Sequence, residues 1–187
     1  MNKKKVFLET FPVLLLCALG GSLSGYILGH MADILEIIPG LIALVPAVIG
    51  MRGNITSAMG ARLGSAVHLG LIEDNITSDI VKENLKSSIS LSAFVAIPLP
   101  IFYAITGLVI GFKISVKILF SLSLISIATG LTSGVLLSFI AFFIIVMAVK
   151  WGIDPDNITG PLLTTLGDVF SLTILFTYSI LIGGLLW

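Results

Sequence analysis

GPLLTTLGDVFSLTILFTYSILIGGLLW, residues 160–187, decides what kind of protein this is. A bilayer core of about 30 Å takes about 20 apolar residues of helix, and this stretch is long enough, yet it carries a carboxylate, Asp168. A charge near the middle of a membrane helix costs about 2.5–3.5 kcal/mol on insertion scales. A penalty of that size marks a residue kept for a task, and an ion pathway is the first task to consider.

The rest of the chain is equally apolar. Of its 187 residues 57% are hydrophobic and 11% charged, with a mean hydropathy of +1.15, a balance that a water-soluble domain does not reach. The reading is an all-α integral membrane protein. Formal net charge is zero and the one basic run is Lys3, Lys4, Lys5, so no nucleic-acid partner is expected. The apolar stretch after that run continues to about Gly29, longer than the core of a cleavable signal, and is read as a retained first helix. A lone Cys17 excludes an intrachain disulfide and reads as a small packing residue.

Span length sorts the chain into five transmembrane helices, about 7–30, 38–68, 87–111, 117–149 and 159–187, forming a single membrane domain over residues 1–187. Pro39, Pro46 and the group Met51, Arg52, Gly53, Asn54 are expected to interrupt the second span, as where backbone lines a cavity. The fourth holds no charge between Lys117 and Lys150, and tilt or a break near Gly130 and Gly134 should absorb its excess length. Lys3, Lys4, Lys5, Arg52, Arg62, Lys82, Lys86 and Lys150 fall at one set of ends and Lys113 and Lys117 at the other. By the positive-inside rule the N-terminus is cytoplasmic and the C-terminus extracellular, in a multi-pass protein of the plasma membrane. Ile72–Ser88 is too short for a soluble regulatory or catalytic module; its alternating charges suggest an amphipathic interfacial helix, with a plain loop as the alternative. The tripeptide NIT at Asn54, Asn75 and Asn157 matches the glycosylation sequon by chance, lying on the cytoplasmic side or in the membrane.

Two segments concentrate the costly polar groups: RGNITSAMGAR (Arg52–Arg62) and DPDNITGPLLTTLGD (Asp154–Asp168). Gly, Pro, Asn and small hydroxyls together free backbone carbonyls and let helices approach closely, which is how a hydrated cation route is built. The two segments should face one another. They supply pore-lining or gating candidates: Asn157, Gly160, Pro161, Gly167, Arg52 and Thr56. Asp168 lies ~10 Å past Pro161 along the helix, with Thr164 at i−4 and Thr165 at i−3 on its face. A carboxylate with hydroxyls and Gly167 beside it suits a hard, hydrated cation such as Mg²⁺; a softer metal would want the Cys and His that are scattered here. Structural roles stay open for several of these residues. Asp168 could pair with Arg52 or Arg62, Asn54 could cap a helix starting at Ile55, and Asp154 and Asp156 suit a turn and an N-cap. His30 and His68 read as interfacial, and Gly21, Gly25 and Gly29 as a helix-packing face.

PAVIGMRGNITSAMGARLGSA (Pro46–Ala66) and DPDNITGPLLTTLGDVFSL (Asp154–Leu172) resemble the membrane domain of MgtE-type magnesium channels and their eukaryotic solute-carrier relatives. The first has the family's Pro, GN pair and small-residue helix; the second has its DP, GP and T-L-x-D arrangement. The resemblance implies a pore-forming homodimer whose Mg²⁺ site is surrounded by the fifth-helix Asp of both protomers, here Asp168, with the ion also holding the dimer axis. It places Asp154 near the cytoplasmic end of the route and Asn54 with Gly53 in the second-helix wall. Bacterial members carry soluble sensor domains before the membrane part; no soluble sensor domain is expected here. Arg52, where bacterial members usually have a small residue, is similar to the solute-carrier branch and implies Na⁺-coupled exchange as the alternative to a channel.

Other classes fit less well. An intramembrane aspartyl protease needs two carboxylates sharing a proton, and Asp168 is read as the single intramembrane one, so no enzyme is expected. A non-transporting accessory subunit packing through its glycines would not require Asp168.

Overall fold

In the computed structural model the described residues are 3–71, 79–111 and 114–186. They form α1 (Lys3–His30), α2 (Ala32–Ile37), α3 (Leu41–His68), α4 (Asp79–Ala96), α5 (Pro98–Ile110), α6 (Val116–Lys150) and α7 (Pro155–Leu186). Five helical stretches are long and apolar enough to cross a membrane: Val6–His30, Leu41–His68, Asp79–Ile110, Val116–Lys150 and Asn157–Leu185. The third is α4 and α5 end to end, parted at Ile97 where Pro98 and Pro100 withhold amide donors. α7 lies at the centre, packed against α1, α3 and α6, while α6 also meets α3, α4 and α5. Lys113, residues 72–78 of the segment read as amphipathic, and the sequon at Asn75 lie outside the described residues.

Two expectations about helix continuity are corrected, and for α6 the break is excluded as one of two alternatives. α3 runs unbroken from Leu41 through Pro46 and Asn54 to His68, because a proline removes one backbone bond and the packed neighbours hold the helix continuous through it. No helix therefore starts at Ile55, and Asn54 is not a cap. Residues 79–88 are the opening of the third crossing rather than a separate interfacial helix. α6 is a single helix of 35 residues, ~52 Å long at 1.5 Å per residue, with no break at Gly130 or Gly134.

Those two glycines serve close packing instead. A Cβ built on Gly130 would sit 2.6 Å from Ala96 Cβ and 2.9 Å from the Ser92 carbonyl oxygen, and one on Gly134 would sit 2.8 Å from Ser92 Cβ. α4 therefore lies directly on α6, and hydroxyls join the two: Ser126 Oγ donates to the Ala96 carbonyl at 2.9 Å and Ser138 Oγ to Ser88 Oγ at 2.9 Å. By contrast a Cβ built on Gly21, Gly25 or Gly29 of α1 would meet no side chain or neighbouring helix within 4 Å; it is Gly20 that meets a partner, Thr165 of α7.

The apolar core is in two pieces. One joins Met31, Ile38, Leu41, Leu44, Val45 and Val48 to Leu122, Ile125, Leu172 and Leu175. The other joins Met59 and Leu63 to Val81, Ala141, Ile145 and Leu163. Between them α3, α6 and α7 bury polar side chains: Arg52, Thr56, Ser126, Thr129, Ser133, Ser138 and Ser171. The bundle is thus two apolar plugs with a polar layer between them.

Gly130→Val should lower stability by about 1–3 kcal/mol through overpacking of α4 on α6, whereas Gly21→Ala should raise it by about 0.4–1 kcal/mol, having open space and a helical backbone; thermal unfolding in detergent measures both.

Candidate cation pathway

α3 and α7 meet along their predicted polar segments. A Cβ on Gly60 would lie 3.0 Å from Thr159 Cγ2 and 3.1 Å from Leu163 Cδ1, and one on Gly53 would lie 3.9 Å from Thr164 Cγ2. Ser57 Oγ and Thr164 Oγ1 approach to 3.5 Å. The smallness of residues 53, 57 and 60 is what lets the helices close. Contacts that pair residue 60 with 159 and residue 53 with 164 also fix them as antiparallel.

On the outer side of this pair, Pro46, Gly50, Asn54, Ala58, Ala61 and Ser65 of α3 are exposed at helical spacing. Thr164 is exposed on α7, and Asp168, one turn further, is half-buried. Asn157, Gly160, Pro161, Thr164 and Asp168 fall on one stripe of α7 by their spacing. Among the described residues no large hydrophobic side chain is exposed on α3 between Ile42 and Leu69, or on α7 before Ile180. The other exposed flanks carry them densely, with Phe7, Leu8 and Leu19 on α1 and Phe102, Ile105 and Leu108 on α5. The α3–α7 face differs from those flanks in lacking such side chains.

Within the site, Asp168 Oδ1 is buried with no hydrogen-bond partner, and no ion pair joins Asp168 to Arg52 or Arg62 among the described residues. Thr164 Oγ1 donates to the Gly160 carbonyl at 3.0 Å and Thr165 Oγ1 to that of Pro161 at 3.0 Å, so both hydroxyls keep lone pairs to offer. Thr165, expected on the Asp168 face, packs its methyl on Gly20 of α1. Two other candidates turn inward. Thr56 Oγ1 donates to the Arg52 carbonyl at 2.8 Å, and Arg52, 0% exposed, enters the α4–α6 side, with Nη1 donating to Ser92 Oγ at 2.5 Å and to the Gly130 carbonyl at 3.5 Å. Neither lines the outer face, because residues 52 and 56 lie on the buried side of a helix whose outer stripe runs through 50, 54 and 58.

Asp154 is not brought to Asp168; fourteen residues of chain separate them, ~21 Å along a helix. It stands at the start of α7, where its carboxylate lies 3.6 Å from His68 Nε2 at the end of α3 and its carbonyl accepts from the Asn157 amide at 3.1 Å. The side chain of Asp156 lies outside the described residues. No group of three or more His, Cys, Asp or Glu occurs among the described residues, so a cation here would be met by single carboxylates, hydroxyls and water.

The sequence pattern of the MgtE divalent cation transporters matches residues 45–178, from within α3 to within α7. The chain belongs to the MgtE family. Solute carrier family 41 member 2 of Gallus gallus is 29% identical over 175 residues, covering 90% of this chain and 30% of the relative. The Homo sapiens protein of that name is 31% identical over 137 residues, covering 71% and 23%. Magnesium transporter MgtE of Bacillus subtilis (strain 168) is 26% identical over 171 residues, covering 88% and 34%. This MgtE-family chain therefore spans about a third or less of the length of these curated relatives.

One contact at this face escaped the sequence reading. Glu9, a second carboxylate inside the first predicted span, accepts a hydrogen bond from Asn157 Nδ2 at 2.7 Å. Eleven residues separate Asn157 from Asp168, ~16 Å of helix, so Glu9 and Asp168 do not share a proton. The bond fastens α1 to the α7 stripe, and nothing in local spacing connects residues so far apart in the chain. Asn157→Ala should lower stability by about 1.5–3 kcal/mol, the range for a hydrogen bond to a charged group, and loosen α1, read as faster proteolysis or backbone exchange in residues 6–20.

Proposed function

We propose that this chain carries Mg²⁺ across the plasma membrane through a pore at the interface of a homodimer, with Asp168 at the ion site. The observation that carries this reading is a buried carboxylate oxygen without a partner on a transmembrane face that lacks large apolar side chains. Leaving Asn54, Thr164 and Asp168 against lipid would be costly. A second copy related by a two-fold axis would cover the same stripe on both subunits and bring two Asp168 carboxylates toward the axis. They would repel one another until a divalent cation entered between them. Mg²⁺ keeps several waters and is held through few carboxylates, which suits a site offering one carboxylate and hydroxyls from each protomer. Gly53 and Asn54 would form the α3 wall, Gly160, Pro161 and Gly167 would keep α7 slender beside it, and Asp154 would meet ions at the cytoplasmic mouth. The names of the bacterial and solute-carrier relatives support Mg²⁺ as the substrate. The balance of Lys and Arg supports a cytoplasmic N-terminus and an extracellular C-terminus.

Mg²⁺ flux into proteoliposomes tests the reading. Asp168→Asn should abolish flux and Asp168→Glu should retain part of it; equal flux in wild type and Asp168→Asn, or none in either, would return Asp168 to a structural role. A flux that requires an opposing Na⁺ gradient identifies an exchanger, and one that does not identifies a channel. Chelating Mg²⁺ should also shift the purified protein from dimer toward monomer by mass action, a change visible in light scattering and absent from Asp168→Asn.

A further inference from the structure

Glu9 is a carboxylate inside the first membrane span, Val6–His30, and is half-buried there. Its contact crosses from α1 to the opening of the last span, where Asn157 Nδ2 donates to Glu9 Oε2 at 2.7 Å. Asn157 begins the stripe of α7 that runs through Gly160, Pro161 and Thr164 to Asp168. The bond therefore ties α1 to the first polar side chain of the pathway face.

That bond also settles which way the carboxamide lies. A carboxylate accepts and does not donate, so only the NH₂ end of Asn157 can face Glu9. The planar amide then turns Oδ1 away from Glu9. The two flanks of α7 show what lies in that direction: on one side Thr165 packs on Gly20 of α1, and on the other Thr159 and Leu163 pack on Gly60 of α3. By helical spacing Asn157 stands between these flanks, on the side of α7 where Thr164 is exposed. Among the described residues the bond to Glu9 is the one its carboxamide makes, so Oδ1 keeps its accepting capacity on the pathway face.

We propose that Glu9 is a positioning residue for ion entry: by holding the NH₂ end of Asn157 it presents Asn157 Oδ1 to the water shell of a hydrated divalent cation at the mouth of the route near the start of α7. The proposal rests on the stripe being the ion route. The opposite flip would put two N–H donors on that surface; donors repel a cation, whereas an oxygen attracts it and accepts from its waters. Mg²⁺ keeps several waters, so an oxygen that acts through water suits it. The Glu9 charge directly behind the amide strengthens the effect by raising the local concentration of cations. A mere tether between α1 and α7 needs some hydrogen bond here, while an entry site needs this flip.

The test is Mg²⁺ flux by the full chain in proteoliposomes, with KM and maximal flux read separately. Glu9→Gln keeps the size of the side chain and can still bond Asn157 through either end of its own amide, so the protein folds while the flip is released. KM should rise about fivefold, because the presenting orientation becomes a fraction of the population, with maximal flux retained. Combining Glu9→Gln with Asn157→Asp restores a donor on α1 and an oxygen on the stripe, and should return KM to near the wild-type value. In an Asn157→Leu background, itself raised in KM, Glu9→Gln should change nothing further. A wild-type KM in Glu9→Gln, or an unrescued KM in the exchanged pair, overturns the proposal. So does a full Glu9→Gln effect in the Asn157→Leu background, since Glu9 would then act as a charge alone. A second readout separates failure of the transport reading: the side-chain amide resonance of Asn157 in lipid nanodiscs, assigned by its absence from Asn157→Leu. It should shift on adding Mg²⁺ in wild type and in Asp168→Asn alike, and no shift in wild type overturns the role of Glu9. Undiminished flux in Asp168→Asn would instead remove Asp168 from the ion site and leave that shift in place.

Discussion

Everything in this bundle depends on the polar layer between its two apolar plugs. Inside a bilayer no water is at hand to solvate a stranded hydroxyl or guanidinium, so each polar side chain in the layer has to be met by a backbone carbonyl, another hydroxyl or a ligand. Most are met in that way. Ser92 reaches the Ser88 carbonyl at 2.6 Å and Ser133 reaches that of Thr129 at 2.6 Å, each borrowing an oxygen from its own helix. The few left over among the described residues, Arg52, Thr129, Asp168 and Ser171, mark the part of the layer whose polar atoms are unmet by the protein itself.

The two long polar segments divide their work by helix face. On α3, residues spaced by four from Pro46 to Asn54 look outward, and the intervening Arg52 and Thr56 look inward to α4 and α6. One helix thereby contributes small groups to an outer surface and a buried charge to the interior. α7 leaves Thr164 exposed and Asp168 half-buried on one side and buries Ser171 and Leu172 on another. Glycine sets the distances: Gly53 and Gly60 close α3 on α7, Gly130 and Gly134 close α4 on α6, and Gly20 closes α1 on Thr165. Membrane helices gain little from hydrophobic burial against one another, so close approach through small residues is what holds this arrangement.

Legibility from the sequence was uneven for physical reasons. The five crossings were visible because length and hydropathy act along the chain, one segment at a time. The facing of Arg52–Arg62 on Asp154–Asp168 was visible because small and polar residues in an apolar background have few other uses. An interruption at Pro46 was expected from local rules and did not occur, since neighbouring helices hold the backbone that an isolated segment would lose; for α6, where local rules allowed tilt or a break near Gly130 and Gly134, the helix is continuous. Thr165 shares the side of α7 that meets α1 although it stands three residues from Asp168, and that contact depends on Gly20, far away in the chain.

The sequence alone determined that this is a five-span helical membrane protein, that its family is MgtE, and that its last span carries a carboxylate, Asp168. These follow from composition and order, which need no partner to be read. Tertiary structure decided the direction of each side chain: Arg52 turned into the α4–α6 groove, Glu9 bonded to Asn157, and Gly21, Gly25 and Gly29 of α1 left open while the glycines of α6 were closed upon. Direction depends on which helix lies beside which, and that is fixed by packing between segments distant in the chain.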